Sequence, residues 1–298
     1  MQLRGKVIVV TGAARGVGAE LARQLTDQGA TVALLGLEPE ELQKVSAGLH
    51  GSAWWEVDVT DSAALDRVAA EVRTTLGAAW GVVANAGIAA GGPLHLSDPA
   101  SYDRVITVNL LGSVRTVRAF LPQVIESKGY VLQIASLAAL VPAPFMSAYC
   151  ASKSGAEAFA FSLRGELKAH RVKVGVAYLT WTDTDMVRGA DERAGLGTMR
   201  SQLPGLLGKT YPLEPSVARI VDGIVARKPR VYAQKWVRGL TYIRAVTPSV
   251  LALTPRRDVR KVENEIRSAA VDPTKLVGAG GAADEAAHTP TALNPPST

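Results

Sequence analysis

The chain has 298 residues, 47% of them hydrophobic, and a formal charge of +6, enough for one large α/β domain or two small ones around a sizeable core. A single cysteine, Cys150, excludes an intramolecular disulfide and any cysteine-rich zinc site. The scattered histidines His50, His95, His170 and His288 show no ligand spacing, so no metal is expected.

In chain order, short β-branched runs alternate with helical patterns. "KVIVV" (6 to 10) precedes a helix over 17–28, "TVALL" (31 to 35) a helix over 39–49, and "AWWEV" (53 to 57) a helix over 62–76. "GVVAN" (81 to 85) leads to helical segments over 100–127, "YVLQIAS" (130 to 136) to a helix over 147–170, and "VKVGVAYL" (172 to 179) closes the series. Strict alternation with nearly continuous apolar strands predicts a parallel sheet covered by helices on both faces. Such a sheet binds ligands at the carboxyl ends of its strands.

The first strand-like run starts at Lys6, which leaves no room for a signal peptide or an amino-terminal anchor. The apolar "LAALVPAPFM" (137 to 146) is too short and too proline-rich to span a bilayer. The expectation is a cytoplasmic protein, soluble or peripheral at a membrane.

From Thr180 to Pro212 the pattern dissolves into a Gly-rich connection, followed by a helix over 214–226 and a short "RVYA". Over 234–247 the residues Trp236, Leu240 and Ile243 recur at helical spacing, with Arg238 opposite, and predict an amphipathic helix. Residues 227 to 261 hold ten Lys or Arg against one Asp, so the basicity is local; with no nucleic-acid motif beside it, no nucleic-acid partner is expected. The last stretch, rich in Gly, Ala, Pro and Thr without an aromatic residue, reads as disordered. The expected division is 1–233 as the catalytic domain, 234–272 as a basic helical extension and 273–298 as the tail.

Directly after the first strand comes "TGAARGVG", Thr11 to Gly18. Glycines at 12, 16 and 18 permit a tight strand-to-helix turn, and the helix amino terminus offers unpaired N–H groups to a pyrophosphate. Farther on, Tyr149 and Lys153 in "YCASK" are four positions apart and share one helix face, so both can point toward the strand ends. A free tyrosine titrates near pH 10, and an adjacent ammonium is expected to draw it toward neutrality for proton exchange.

The spacing Thr-Gly-x-x-x-Gly-x-Gly is similar to the signature of the classical short-chain dehydrogenases/reductases, and the resemblance spans about residues 5 to 230. It implies a Rossmann-type doubly wound sheet of about seven strands in the order 3-2-1-4-5-6-7, and an oxidoreductase using NAD or NADP. It implies coenzyme contacts from Gly12, Arg15, Gly16, Val17, Gly18, Asp58, Val59, Asn85, Ala86 and Gly87, with Asp58 holding the adenine amine. Ser136, thirteen residues before Tyr149, would hydrogen-bond the substrate oxygen while Tyr149 exchanges its proton. Lys153 would tune the tyrosine and hold the nicotinamide ribose, and Asn109 in "VNLLG" would position a proton relay to Lys153.

Two features depart from the family. "LTWTDTDM" carries Leu179 and Thr180 where Pro-Gly is usual, with Thr184 standing where a threonine contacts the nicotinamide carboxamide. After the second strand Gly36 and Leu37 replace the usual coenzyme-selecting pair; Arg15 favours a 2′-phosphate and Glu38 opposes one, and the reading leans to NADP.

The apolar 137–146 segment and Met186, Leu196, Met199, Leu203, Leu206 and Leu207 make a hydrophobic carbonyl or alcohol the expected substrate, unless these residues only cap the core. The basic stretch 234–261 either packs on the core or a second subunit, or rests on an anionic membrane. A homo-oligomer, dimer or tetramer, is expected through the helices at 101–127 and 147–170. Two other classes stay open: a dinucleotide-sensing regulator without turnover, and a methyltransferase.

Overall fold

The computed structural model describes residues 2–193, 195–201, 203, 205–251, 256–269, 272 and 274–288. Seven strands, β1 (Val7–Thr11), β2 (Thr31–Gly36), β3 (Ala53–Glu56), β4 (Ala79–Ala84), β5 (Tyr130–Ser136), β6 (Lys173–Leu179) and β7 (Arg230–Tyr232), form one sheet in the order β3-β2-β1-β4-β5-β6-β7. Every pairing is parallel. Fold class and strand order are as expected.

The continuous apolar strands have a simple cause: alternate residues serve opposite helix layers. Val7 and Val9 of β1 join one core with Leu65 and Val72 of α3 (Ser62–Leu76), Phe120 of α5 (Ser113–Glu126) and Leu163 of α6 (Ser147–Glu166). Ile8 and Val10 face Leu21 and Leu25 of α1 (Gly16–Asp27), Leu42 of α2 (Pro39–Ala47) and Ile220 of α9 (Leu213–Val225). All five residues of β1 are buried, and each fully buried Val or Ile is worth about 1.5–3 kcal/mol. The strand order reverses between β1 and β4, which opens a crevice outside their carboxyl ends.

The helical stretch before β5 is interrupted. Between α4 (Pro99–Ile106) and α5, residues Thr107–Gly112 form a π-helical turn, and Asn109 inside it is 1% exposed. Its side chain turns back to the main chain of Ile88, accepting from Ile88 N and donating to Ile88 O.

The expected irregular 180–212 connection instead contains α7 (Asp185–Glu192), α8 (Leu196–Ser201) and a 3-10 turn at Gly205–Leu207. Elements this short leave no readable period. The helix expected over 234–247 is divided into α10 (Val237–Ile243) and α11 (Thr247–Leu251). Trp236 and Leu240 pack on the core, Trp236 Nε1 donates to Tyr211 Oη at 2.9 Å, and Tyr242, Ile243 and Val246 are exposed. Arg244 pairs at 2.8 Å with buried Glu157 on α6, which also accepts a hydrogen bond from Tyr178 Oη. A further helix, α12 (Arg256–Ser268), turns Val262 and Ile266 onto Gly195.

The expected disordered tail is corrected over its described part. Residues 278 to 288 form α13 (Gly278–His288), packed against α7, while 289–298 lie outside the described residues. Glycine is the reason the helix is hard to read: a Cβ on Gly189 would lie 2.7 Å from the Gly278 nitrogen, so the two backbones meet where side chains would normally intervene. No helix among the described residues is long and apolar enough to cross a membrane.

Candidate active site

The loop after β1 reaches its shape through glycine. Gly12 and Gly16 have φ of +63° and +51°, in the left-handed region that favours glycine. A Cβ on Gly18 would lie 2.0 Å from the Gly12 carbonyl oxygen, so the tight turn itself demands glycine there. Thr11, which the sequence reading passed over, pins the loop to β4: its hydroxyl accepts from the N–H groups of Asn85 and Ala86, each at 3.0 Å. Asn85 Nδ2 returns the bond to the Thr11 carbonyl at 2.9 Å. Asn85 is thus a suture between strand and loop.

The amino terminus of α1 has no side-chain cap and no acidic residue in its first turn, and Gly16, Val17 and Gly18 line the cleft there. An uncapped helix start beside a glycine turn fits a pyrophosphate, with the first N–H groups and the positive dipole end available to it. The same cleft is lined by Asp58, Val59, Ala86, Gly87, Ser136, Tyr149, Lys153 and Thr184. Val59 also packs on the π turn at Gly112.

Ser136 ends β5, and Tyr149 and Lys153 rise from the first two turns of α6, with Lys153 Nζ 5.7 Å from the centroid of the Tyr149 ring. The Lys153 ammonium donates to the Ile134 carbonyl at 3.1 Å. Gly87 makes room for the convergence: a Cβ there would sit 3.1 Å from Asn109 Oδ1 and 3.3 Å from Lys153 Nζ. Asn109 Oδ1 accepts from Ile88 N at 2.8 Å, and its Nδ2 donates to Ile88 O and Ser152 Oγ. The asparagine therefore braces the strand end beside Lys153. Thr184 caps α7 and faces Gly16 across the cleft.

Among the protein's own groups, burial dominates the electrostatics at Tyr149. Burial pushes its phenol up to about 12, and the hydrogen bond to Ser136 only moderates the rise. Burial lowers Lys153 to about 8. Desolvation penalises the charged form of each group, which favours the neutral phenol and the neutral amine.

At the other end of the cleft two anticipated residues are already engaged. Arg15 forms ion pairs with Glu38 and, at 3.2 Å, with Asp185, and these carboxylates hold its guanidinium firmly charged. Asp58 accepts from Thr60 N, Thr60 Oγ1 and Arg104 Nη2, and His288 Nε2 lies 2.8 Å from its Oδ2. Burial alone would raise the Asp58 carboxyl, but the bonds from Thr60 and Arg104 hold it below its ordinary value. Asp284 and His288 were not foreseen, because their sequence neighbours give no sign of order.

Around Tyr149 the wall is apolar. Met146, Cys150, Ala190 and Leu196 form a buried cluster on which Tyr149, Met186 and Met199 pack. Cys150 belongs to this packing, and burial raises its thiol away from the reactive thiolate. Leu206 is exposed and stands outside the cluster.

The sequence model of the family described as short chain dehydrogenase matches residues 6–195. The chain is similar to a 2,3-dihydro-2,3-dihydroxybenzoate dehydrogenase of Bacillus subtilis (strain 168), with 30% identity over 237 residues, 74% of this chain and 90% of that one. It is also similar to 2-(S)-hydroxypropyl-CoM dehydrogenase 3 of Xanthobacter autotrophicus, with 35% identity over 51% of this chain and 62% of the relative. A solved metagenomic short-chain oxidoreductase in complex with NADP shares 37% identity and a TM-score of 0.56 over 60% of this chain and 83% of that chain. Sheet order, glycine loop and matched sequence agree: the chain belongs to the short-chain dehydrogenase/reductase family and is an NAD(P)-dependent oxidoreductase acting on a small-molecule alcohol or carbonyl.

Proposed function

We propose that the protein interconverts a hydrophobic alcohol and the corresponding carbonyl, a secondary alcohol with its ketone or a primary alcohol with its aldehyde, with Tyr149 as the general acid and base. The observation that carries this reading is the joint lining of one cleft by Ser136, Tyr149, Lys153 and the glycine loop. The coenzyme, when bound, supplies or accepts hydride at the carbonyl carbon. Tyr149 donates its proton to the carbonyl oxygen during reduction and takes one from the alcohol during oxidation. Ser136 hydrogen-bonds the same oxygen. Lys153 holds the nicotinamide ribose and returns a proton to Tyr149, and Asn109 serves the relay to Lys153. Gly12, Arg15, Gly16, Val17, Gly18, Asp58, Val59, Asn85, Ala86, Gly87 and Thr184 complete the coenzyme contacts.

The apolar cluster at Met146, Met186 and Leu196 supports a hydrophobic substrate. The two named relatives act on chemically different compounds, so neither substrate is carried over. A lean to NADP rests on Arg15 and on the solved NADP complex, with Glu38 acting against it. The proposal includes a homo-oligomer formed through α5 and α6, and peripheral contact with an anionic membrane through the 234–261 stretch. Within that stretch, the exposure of Tyr242, Ile243 and Val246 supports the contact.

A panel of hydrophobic ketones and alcohols assayed with both coenzymes, followed at the reduced nicotinamide band, tests the reading. Turnover of apolar ketones and rejection of sugars is expected. Turnover confined to polar substrates removes the hydrophobic assignment.

A further inference from the structure

Helix α13 crosses the mouth of the coenzyme cleft. Val277, Gly280, Gly281 and Asp284 line the same cavity as Gly16 and Asp58. At one side, the Cβ position of Gly280 is 4.0 Å from Arg15 Cδ. At the other, Asp284 accepts two hydrogen bonds from Arg104, both at 2.8 Å, and His288 closes on Asp58. The helix therefore spans the distance from the phosphate loop to the end of β3.

Three quantities show what this covering does. With α13 in place the cavity has a volume of about 230 Å³. Pockets for organic ligands run to about 300–1,000 Å³, and a dinucleotide is among the larger ligands. Of the four contacts to the Asp58 carboxylate, three, from Thr60 Oγ1, Arg104 and His288, converge on Oδ2, and Thr60 N alone reaches Oδ1. His288 is the one of these partners that belongs to α13, so the helix end covers Oδ2 from the cleft side.

The segment is built to hinge. Leu276 and Val277 are 3% and 1% exposed, and Val277 N donates to the Ala89 carbonyl at 2.9 Å, so the base is anchored. Gly278, with φ of +74°, supplies the bend. From Gly278 on, the sequence "GAGGAADEAAH" brings no large apolar side chain to the helix. Between anchor and tip the helix meets α7 through backbone and small side chains, and its tip is fixed by the Arg104–Asp284 ion pair and the His288–Asp58 contact.

We propose that α13 is a lid over the adenosine half of the coenzyme cleft, hinged at Leu276–Gly278 and latched by Asp284 and His288, which opens to admit the coenzyme. The inference rests on the reading of this cleft as the coenzyme site. A lid of this kind makes the latch residues determinants of coenzyme entry although they lie far along the chain from the reaction centre.

The test is stopped-flow binding of NADH and NADPH, read by nucleotide fluorescence, to the full chain, to His288→Ala and to the Asp284→Asn/His288→Ala double variant. Hydrogen exchange over 278–288 is measured with and without coenzyme. The expected result is an association rate and an affinity raised about tenfold in the double variant, less in the single one, and faster exchange in 278–288 of the wild type on binding. Unchanged binding in both variants overturns the lid. So does weaker binding with slower exchange on coenzyme addition, which would make α13 a wall that closes on the bound molecule. If no form binds either coenzyme, the coenzyme reading of the cleft falls and takes the lid with it.

Discussion

The sheet-borne half of the molecule and its carboxyl-terminal quarter hold their polar groups by different means. Around the reaction centre, side chains are tied to backbone: Lys153 to Ile134, Asn109 to Ile88, Asn85 to Thr11. In the carboxyl-terminal quarter the ties run between side chains, the ion pairs of Arg244 with Glu157 and Arg104 with Asp284 and the contact of His288 with Asp58. Backbone ties keep geometry at any ionic strength, whereas an ion pair with an exposed member such as Arg244 weakens as salt screens it. The residues proposed for the chemistry are thus tied to backbone, and those proposed to latch the cover of the cleft are held through side chains.

The largest effect should come from the backbone-tied half. Tyr149→Phe removes only a hydroxyl, and loss of general acid catalysis costs about 10²–10⁴-fold in kcat. Coenzyme affinity and melting temperature should stay near the wild-type values; unchanged turnover would remove Tyr149 from the mechanism.

Lys153→Met sharpens the comparison by separating function from stability. Folding lowers the lysine from 10.5 to about 8, so below that pH the folded state carries a penalised ammonium that the unfolded chain does not. The substitution should abolish most turnover and yet stabilise the coenzyme-free protein at pH 7 by roughly 1–3 kcal/mol in a denaturant titration. The gain should shrink as pH rises from about 8 to 10, because there the wild type sheds the proton. A destabilised variant at pH 7 would break the argument.

Glu38→Ala acts at the junction of the two regions. It frees Arg15 from one of its two carboxylates, and the ratio of kcat/KM for NADPH over NADH should rise about tenfold, equivalent to about 1.4 kcal/mol. A ratio that stays constant would show that Arg15 does not face the 2′ position. The smallest effect belongs to the surface: Ile243→Glu with Val246→Glu should reduce sedimentation with anionic vesicles a few-fold while leaving kcat/KM in solution unaltered. Equal sedimentation would remove these residues from any membrane contact.

Where each side chain answered to its own element, the sequence was legible. The alternation of β1 to β6 with helices predicted the parallel sheet, because period-two burial on both faces leaves continuous apolar runs. Gly12, Gly16 and Gly18 revealed the phosphate loop because the turn itself requires glycine. For the Tyr149 phenol, spacing showed the nearby ammonium but not the depth of burial, which only the packed structure reveals. Asp58 and Arg15 were recognised as facing the cleft, but their partners Asp284, His288, Glu38 and Asp185 arrive from other parts of the chain. The order of α13 was invisible for a related reason: small residues carry no hydrophobic period, and what they supply is close backbone approach to α7.

The Arg244–Glu157 contact has a consequence for how the chain can change. Glu157 is buried beneath the sheet, and its neutralising cation comes from beyond residue 233. A chain shortened before Arg244 would leave the buried Glu157 carboxylate with the Tyr178 hydroxyl and without the cation that reaches it from the surface, which destabilises the fold. The extension is therefore not an interchangeable module: any variant that discards it must first replace Glu157, and the two positions are bound to change together.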